Sequence, residues 1–289
     1  MESKGMTGSG KNILFNPVNP ATESSLMNIV DYNRHAWNLQ SLEGCRWSTP
    51  VEDAVIERAK SGDWSVILTP NKTVPASWFP SFPRMNGVNL LALASGGGQQ
   101  VPIFAAAGAR VTSFDASEVQ LEKDYDTAAR HGLEITIEQG DMADLSRFPD
   151  ASFDLIFHAV SNVFAAAVRP VWKECARVLR PGGHLLAGFM NPCFFLFDHH
   201  LAEETGELRV VHALPYNDLD HLDEETLSLN LEANLTLEFS HSLEDQIGGQ
   251  CDAGLAVTGL YEDDWDAESS ALHGWMPLFL ATRAVKLPV

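Results

Sequence analysis

The sequence predicts an open, mostly parallel α/β sheet of seven strands with helices on both faces. Three observations predict it. From residue 88 onward, short apolar runs alternate with helix-patterned segments, and that alternation builds βαβ units and a parallel sheet. The first run, 88–94, is apolar throughout, as expected of a strand buried on both faces. A triple glycine, "ASGGGQQ", follows that run and opens a helix pattern. Glycine there lets the backbone approach a ligand closely, and a helix start offers unpaired amides.

The remaining elements follow in order. A helix is expected over 101–107 with Pro102 in its first turn, a second strand over 110–114, a helix over 118–131 and a third strand over 134–139. "SFDLIFHAV" reads as the fourth strand, 171–179 as a helix, "PGG" as a turn and 184–190 as the fifth strand. After Asn191 the rhythm breaks, and residues 192–239 read as a lid-like insertion with short strands of its own, "ELRVVHAL" and "LTLEF". A helix over 243–253 and strands over 256–261 and 277–285 complete the sheet. Upstream, 1–83 divides into a frayed tail, a helical cap over 16–60 and a stiff proline-rich connector over 68–83. The cap carries "SSLMNIVDYNRHAWNLQ" at helical spacing, then a second helix started by Pro50 and stopped by Gly62. The connector follows from proline's fixed φ. A core domain over 84–289 results.

Bulk properties exclude several classes. The 289 residues can bury one sizeable core or two modest ones. A formal net charge of -20, from 19 basic and 39 acidic side chains with no basic run, repels phosphate backbones and anionic lipid. Nucleic acid and membrane surfaces are therefore not expected as partners. Cys45, Cys175, Cys193 and Cys251 show no CxxC or ligand spacing. They read as reduced, mostly buried thiols of a cytoplasmic protein. The opening "MESKGMTGSGKN" lacks a signal-type apolar block, and no apolar stretch is long enough to span a bilayer.

Two readings of the glycine turn compete. A dinucleotide site wants G-x-G-x-x-G; Gly96 and Gly98 match, but the third position is Val101. A ligand with a carboxylate and a cationic sulfonium needs only a small-residue turn. Asp115 stands 17 residues after Gly98, at the end of the second strand. It can accept both ribose hydroxyls of an adenosine cofactor, or cap the next helix through the box "DASEVQ"; alone, the two weigh evenly. In "IEQGDMADLSRF", Asp141 lies just past the third strand and Met142 follows. An acceptor for an exocyclic amine beside an apolar plate suits adenine, although "GDM" is also an ordinary turn.

Taken together, the glycine turn, Asp115, "GDMADL", "FDLIFHAVSNVF" and "VLRPGGHLLAGF" resemble class I S-adenosylmethionine-dependent methyltransferases over 88–189. The likeness is nearest to the small-molecule branch that includes the quinone and menaquinone methylases. "VLRPGG" is the most specific element. The resemblance implies a Rossmann-like fold, S-adenosylmethionine as cofactor and S-adenosylhomocysteine as its product. It further implies that Ala94, Ser95, Gly96, Gly98 and Gln99 surround the methionine moiety. Asp115 with Ala116 would hold the ribose, and Asp141 with Met142 the adenine. His158, Ala159 and Ser161, at the end of the fourth strand, would face the transferred methyl. Ala92 stands where the family usually has an acid, and Ala94 where it has its first glycine. Backbone carbonyls or Gln99 would then hold the methionine ammonium.

Methyl transfer from a sulfonium is an in-line displacement, so positioning and desolvation supply much of the catalysis. A base is needed only when the nucleophile must lose a proton. His158 is one candidate base, with a structural role as the alternative. His241, opening "SHSLEDQIGGQ", is a second, although capping by Ser242 is the simpler reading. Asp198, His199 and His200 lack metal-ligand spacing, so no metal is expected. Methyltransferases of this type are commonly roofed by N-terminal helices and an insertion after the fifth strand, and this chain has both. Tyr32, Trp37, Phe197 and Tyr216 are the candidates for an apolar acceptor pocket in that roof; packing of the helices is the alternative. The expected activity is methyl transfer to a small molecule with an aromatic or hydrocarbon body. A catalytically silent S-adenosylmethionine- or nucleotide-binding protein is the alternative. The acceptor atom is not legible, and neither is the oligomeric state, a homodimer included.

Overall fold

The computed structural model describes residues 28–266 and 268–288. The predicted tail and the start of the helical cap, up to residue 27, lie outside them.

Seven strands form one sheet: β1 (Asn89–Leu93), β2 (Arg110–Asp115), β3 (Ile135–Gln139), β4 (Phe153–His158), β5 (Leu179–Met190), β6 (Leu255–Asp263) and β7 (Phe279–Lys286). Their order is β3-β2-β1-β4-β5-β7-β6. β1 to β5 pair in parallel, β7 runs antiparallel to β5, and β6 runs antiparallel to β7. This is the mostly parallel seven-stranded sheet that the alternation predicts. The order reverses direction between β1 and β4, and a doubly wound sheet opens its ligand crevice beyond the strand ends at such a switch point.

Successive residues of β1 point to opposite faces. Leu90 and Ala92 join a core with Val101, Phe104 and Phe157, under α2 (Asp53–Ser61) and α3 (Gln100–Ala106). Leu91 and Leu93 join the opposite core with Phe114, Ile156, Trp172 and Leu185, under α5 (Arg169–Val178) and α9 (Gly249–Asp252). Both faces are covered, which is why β1 carries no polar alternation. α4 (Glu118–Arg130) packs against β2, β3 and α3, and α1 (Ile29–Leu42) lies on α4.

Four expectations need correction. "PGG" is not a turn before β5; the strand starts at Leu179 and runs through it. The pairing passes from Phe153↔Leu179 to Leu155↔His184, so the extra residues of β5 are taken up in a bulge. Nor does residue 84 divide the chain. Trp64, Val66, Leu68, Val74, Trp78 and Phe79 are buried in the same core as Leu90 and Phe104. The aromatic content of this segment, not its prolines, decides its place. At Gly188 a Cβ would collide with the Leu68 carbonyl oxygen, so the segment is pressed directly onto β5. In the insertion the predicted strands reduce to single bridges, Phe197↔Val210 and Asn217↔Phe239. Helices α6 (His199–Thr205), α7 (Asp218–His221) and α8 (Glu224–Glu232), which the sequence reading did not expect, form before and between them. Each starts at an Asp or Asn whose side chain accepts a backbone amide, namely Asp198, Asn217 and Asp223. Lastly, α2 starts at Asp53 rather than Pro50, because Val51 is held extended by its N–H donating to the Gly98 carbonyl at 2.9 Å. It stops as expected at Gly62, in the left-handed conformation.

Candidate active site

The end of β1 delivers a left-handed run: Ala94 has φ +50°, and Gly96, Gly97 and Gly98 have φ +77°, +73° and +84°. Gly98 is also a packing position, since a Cβ there would lie 2.8 Å from the Pro50 Cβ. At Gly96 the nearest atom would be the Trp47 carbonyl oxygen at 3.6 Å, and this is the glycine that borders the cavity. Beneath the turn lies Asp124 of α4, fully buried. Its carboxyl accepts the Gly98 N–H, the Ser95 hydroxyl at 2.9 Å and the Ser113 hydroxyl at 2.6 Å. Burial pushes it up to about 7, with the nearby Asp115 charge adding to the effect. Sequence reading missed this residue. Its signal was an acid on the helix face that also carries Leu121 and Ala128.

Asp115 ends β2, buried but bordering the cavity. Its Oδ1 accepts the Ser117 N–H at 2.8 Å and its Oδ2 the Gly96 N–H at 3.4 Å. Burial pushes it up to about 6. The cap of α4 is Ser117, whose hydroxyl accepts the Gln120 N–H at 3.2 Å. That removes the capping reading of Asp115. Ala116 borders the cavity too, as do Asp141 and Met142 after β3. Asp141 accepts the Ala143 N–H at 2.9 Å through Oδ1. Ala94, Ser95, Gln99, Ala159 and Ser161 also border it; Gly98 does not. The Gln99 amide donates to the Arg46 carbonyl at 3.1 Å and the Thr49 carbonyl at 3.4 Å.

The two histidines lie elsewhere. His158 is fully buried on the α5 face of β4, edge-on to Trp172 with ring centroids 6.0 Å apart. Its Nδ1 lies 3.0 Å from the Leu93 carbonyl and its Nε2 2.7 Å from the Asn162 Oδ1. His241 places Nε2 3.0 Å from the Asn162 carbonyl, beside a separate void of about 10 Å³. Burial lowers both pKa values. Neither ring borders the main cavity, because strand alternation turns His158 to the opposite face and a wall formed by Val163 and Phe239 stands around His241. Both converge on Asn162, whose Nδ2 donates to Gln246 Oε1 at 2.9 Å.

The cavity has a volume of about 800 Å³. Of the four predicted acceptor residues, Trp37 alone lines it. Tyr32 donates its hydroxyl to the Leu235 carbonyl at 2.8 Å. Tyr216 stacks on Phe195 at 5.2 Å and donates to Asp218 Oδ1 at 2.7 Å. Phe197 packs among Leu272, Leu278 and Phe279. The aromatic wall is built by Trp37, Trp47, Phe164, Phe194 and Trp265 instead. Trp37 meets Phe164 edge-on at 5.1 Å, and the Arg46 guanidinium lies 4.1 Å over the Trp47 ring.

Asp198 caps α6 and accepts the Leu201 N–H at 2.9 Å, while His199 stacks on Phe194 at 4.0 Å and His200 pairs with Glu204 at 3.5 Å. Among the described residues no three His, Cys, Asp or Glu side chains converge as metal ligands. The four cysteines are unpaired, but only Cys175 is buried, and Cys251 is exposed; the expected burial of the thiols is thus not general. No described helix is long and apolar enough to cross a membrane.

The residues fit an adenosyl cofactor on their own chemistry: an acid with free lone pairs beside a glycine that admits close approach, and an apolar plate next to a second acid. Fold and cavity define a doubly wound α/β protein whose cleft lies at the switch point of the sheet. The methyltransferase domain family matches residues 91–187. The uncharacterized methyltransferase YbaJ of Bacillus subtilis is 49% identical over 259 residues, 90% of this chain and 99% of that protein. A sterol 24-C-methyltransferase of Gibberella zeae is 33% identical over 204 residues, 70% of this chain and 47% of that protein. In fold alone, the chain is similar to an S-adenosylmethionine-dependent methyltransferase from Mesorhizobium loti, with TM-score 0.53 at 19% identity over 73% of this chain and 94% of that one. The chain belongs to the methyltransferases.

Proposed function

We propose that the enzyme methylates a small molecule with an aromatic or hydrocarbon body, held under a roof made by α1 and residues 192–239. One observation carries the reading: a single cavity of about 800 Å³ joins the glycine turn and Asp115 to the aromatic wall of Trp37, Phe164 and Phe194. That is room for a nucleoside and a second small molecule. When bound, the cofactor supplies an electrophilic methyl on its sulfonium. Asp115 would accept the ribose hydroxyls and Asp141 the adenine amine, with Met142 as the apolar plate for the ring. The Gln99 Oε1, whose amide nitrogen is already engaged, would accept from the methionine ammonium in place of the acid missing at Ala92. The roof excludes water, which strengthens every charged contact inside. His158 and His241 hold the ends of β1 and β4 through Leu93 and Asn162 and serve as no base. Unpaired thiols support a cytoplasmic setting.

The test is methyl-labelled S-adenosylmethionine incubated with the protein and fractionated metabolite extracts. Label is expected in a low-molecular-weight, organic-extractable product with matching release of S-adenosylhomocysteine. Label confined to protein or nucleic acid would contradict the reading.

A further inference from the structure

Four carboxyls border the cavity: Asp115, Asp141, Glu238 and Asp266. The reading above uses neither Glu238 nor Asp266, and of these two Glu238 stands alone. Asp266 is held by Ser269 and the amide of Glu268, whereas the Glu238 carboxyl accepts no hydrogen bond and meets no cation among the described residues. The two cations on the cavity wall are committed elsewhere. Arg34 pairs with Asp31 at 3.4 Å and Glu118 at 3.7 Å, and Arg46 lies between Trp47 and Trp265.

The position of Glu238 is fixed from three sides. Leu237 and Phe239 are buried, so extended-chain alternation turns Glu238 the other way, to the cavity. Asn33 of α1 clips the segment: its Oδ1 accepts the Leu237 N–H at 2.8 Å, and its Nδ2 donates to the carbonyls of Leu237 and Phe164, each at 3.0 Å. The Phe239 N–H donates to the Val163 carbonyl at 2.7 Å. Asp218 Oδ2 accepts the Glu238 N–H at 2.8 Å, and the Asp218 N–H donates to the Glu238 carbonyl at 3.1 Å. Burial pushes the carboxyl up to about 7, and the Asp218 charge adds to that. The residue is partly exposed, and its carboxyl opens to the cavity rather than being sealed in the core.

We propose that Glu238 is the recognition group for the methyl acceptor, receiving a hydrogen bond from an ammonium, amine or hydroxyl on the acceptor. The acceptor's apolar body then lies against Trp37 and Phe164, and carboxylate- or phosphate-headed compounds are turned away by like charge. The inference rests on the small-molecule reading above and adds the acceptor's polar head to it.

The probes are benzylamine, benzyl alcohol and benzoate, titrated at pH 8 into the full-length protein with and without S-adenosylhomocysteine. Binding is followed by tryptophan fluorescence and saturation-transfer NMR. Wild type is expected to bind benzylamine and benzyl alcohol at least fivefold more tightly than benzoate. Glu238→Gln should lose most of the benzylamine preference, gain affinity for benzoate, and keep its S-adenosylhomocysteine affinity within twofold. The order of preference in wild type alone is a second criterion that needs no variant. Benzoate binding as well as benzylamine, an unchanged preference in Glu238→Gln, or no binding by any probe would overturn the proposal. If S-adenosylhomocysteine failed to bind wild type while the probes kept their order, the cofactor geometry would be wrong and the acceptor assignment would stand.

Discussion

Asp115 and Asp124 flank the same glycine turn, and their surroundings give them different work. Asp115 borders the cavity and lies near 6, so at neutral pH it is mostly charged, as the proposed ribose acceptor must be. Asp124 touches only protein, and burial holds it near 7, well above its unfolded value near 4. The sign follows from proton binding. An acid with a raised folded pKa favours the fold fully below about pH 4, and that contribution is lost as pH rises through about 7. Asp124→Asn mimics the protonated form and keeps an acceptor for Gly98. Chemical denaturation of both proteins from pH 5 to 8 should therefore show the variant gaining stability relative to wild type as pH rises. A difference independent of pH would mean that the carboxyl is not desolvated. Asp115 was legible because strand end and glycine spacing mark it. Asp124 was not, because an acid within a helix pattern reads as solvated surface until the glycine turn supplies Ser95 and β2 supplies Ser113.

At the scale of elements, the roof depends on α1 reaching across to residues far along the chain. Asn33 makes three hydrogen bonds to Leu237 and Phe164 from a buried position. Asn33→Ala leaves those backbone groups without their partner, at a cost of roughly 2–4 kcal/mol. Hydrogen exchange should rise in residues 235–240 and 162–165 while β1 and β2 stay protected. Exchange rising through the whole sheet, or nowhere, would show that the clip is not local. The strands were legible because burial on both faces leaves uninterrupted apolar runs such as Leu90–Leu93. The insertion was not, because the helices that Asp198, Asn217 and Asp223 start lie outside the two runs read as strands, and those runs form only single bridges. The segment 68–83 was misread for a related reason: proline announces stiffness, and only the finished core shows that Leu68, Trp78 and Phe79 have a place to go.

Across the whole molecule, the two halves of the cavity differ in how the chain encodes them. The cofactor half comes from strand ends that are neighbours in the sheet, so local motifs along one stretch carry it. The roof half gathers Asn33, Trp47, Phe164, Phe194, Glu238 and Trp265, which meet only through packing and leave no short-range pattern. The central claim is that Asp115 and the glycine turn form the cofactor end of this cavity. Calorimetric titration of S-adenosylhomocysteine into wild type and Asp115→Ala tests it most directly, with NAD as control and melting temperatures recorded for both. Wild type should bind S-adenosylhomocysteine and ignore NAD. The variant should stay folded at the titration temperature and bind tenfold or more weakly, since two hydrogen bonds to a charged acceptor are worth about 3 kcal/mol or more. Affinity within twofold of wild type in Asp115→Ala, or NAD binding more tightly than S-adenosylhomocysteine, would contradict the account.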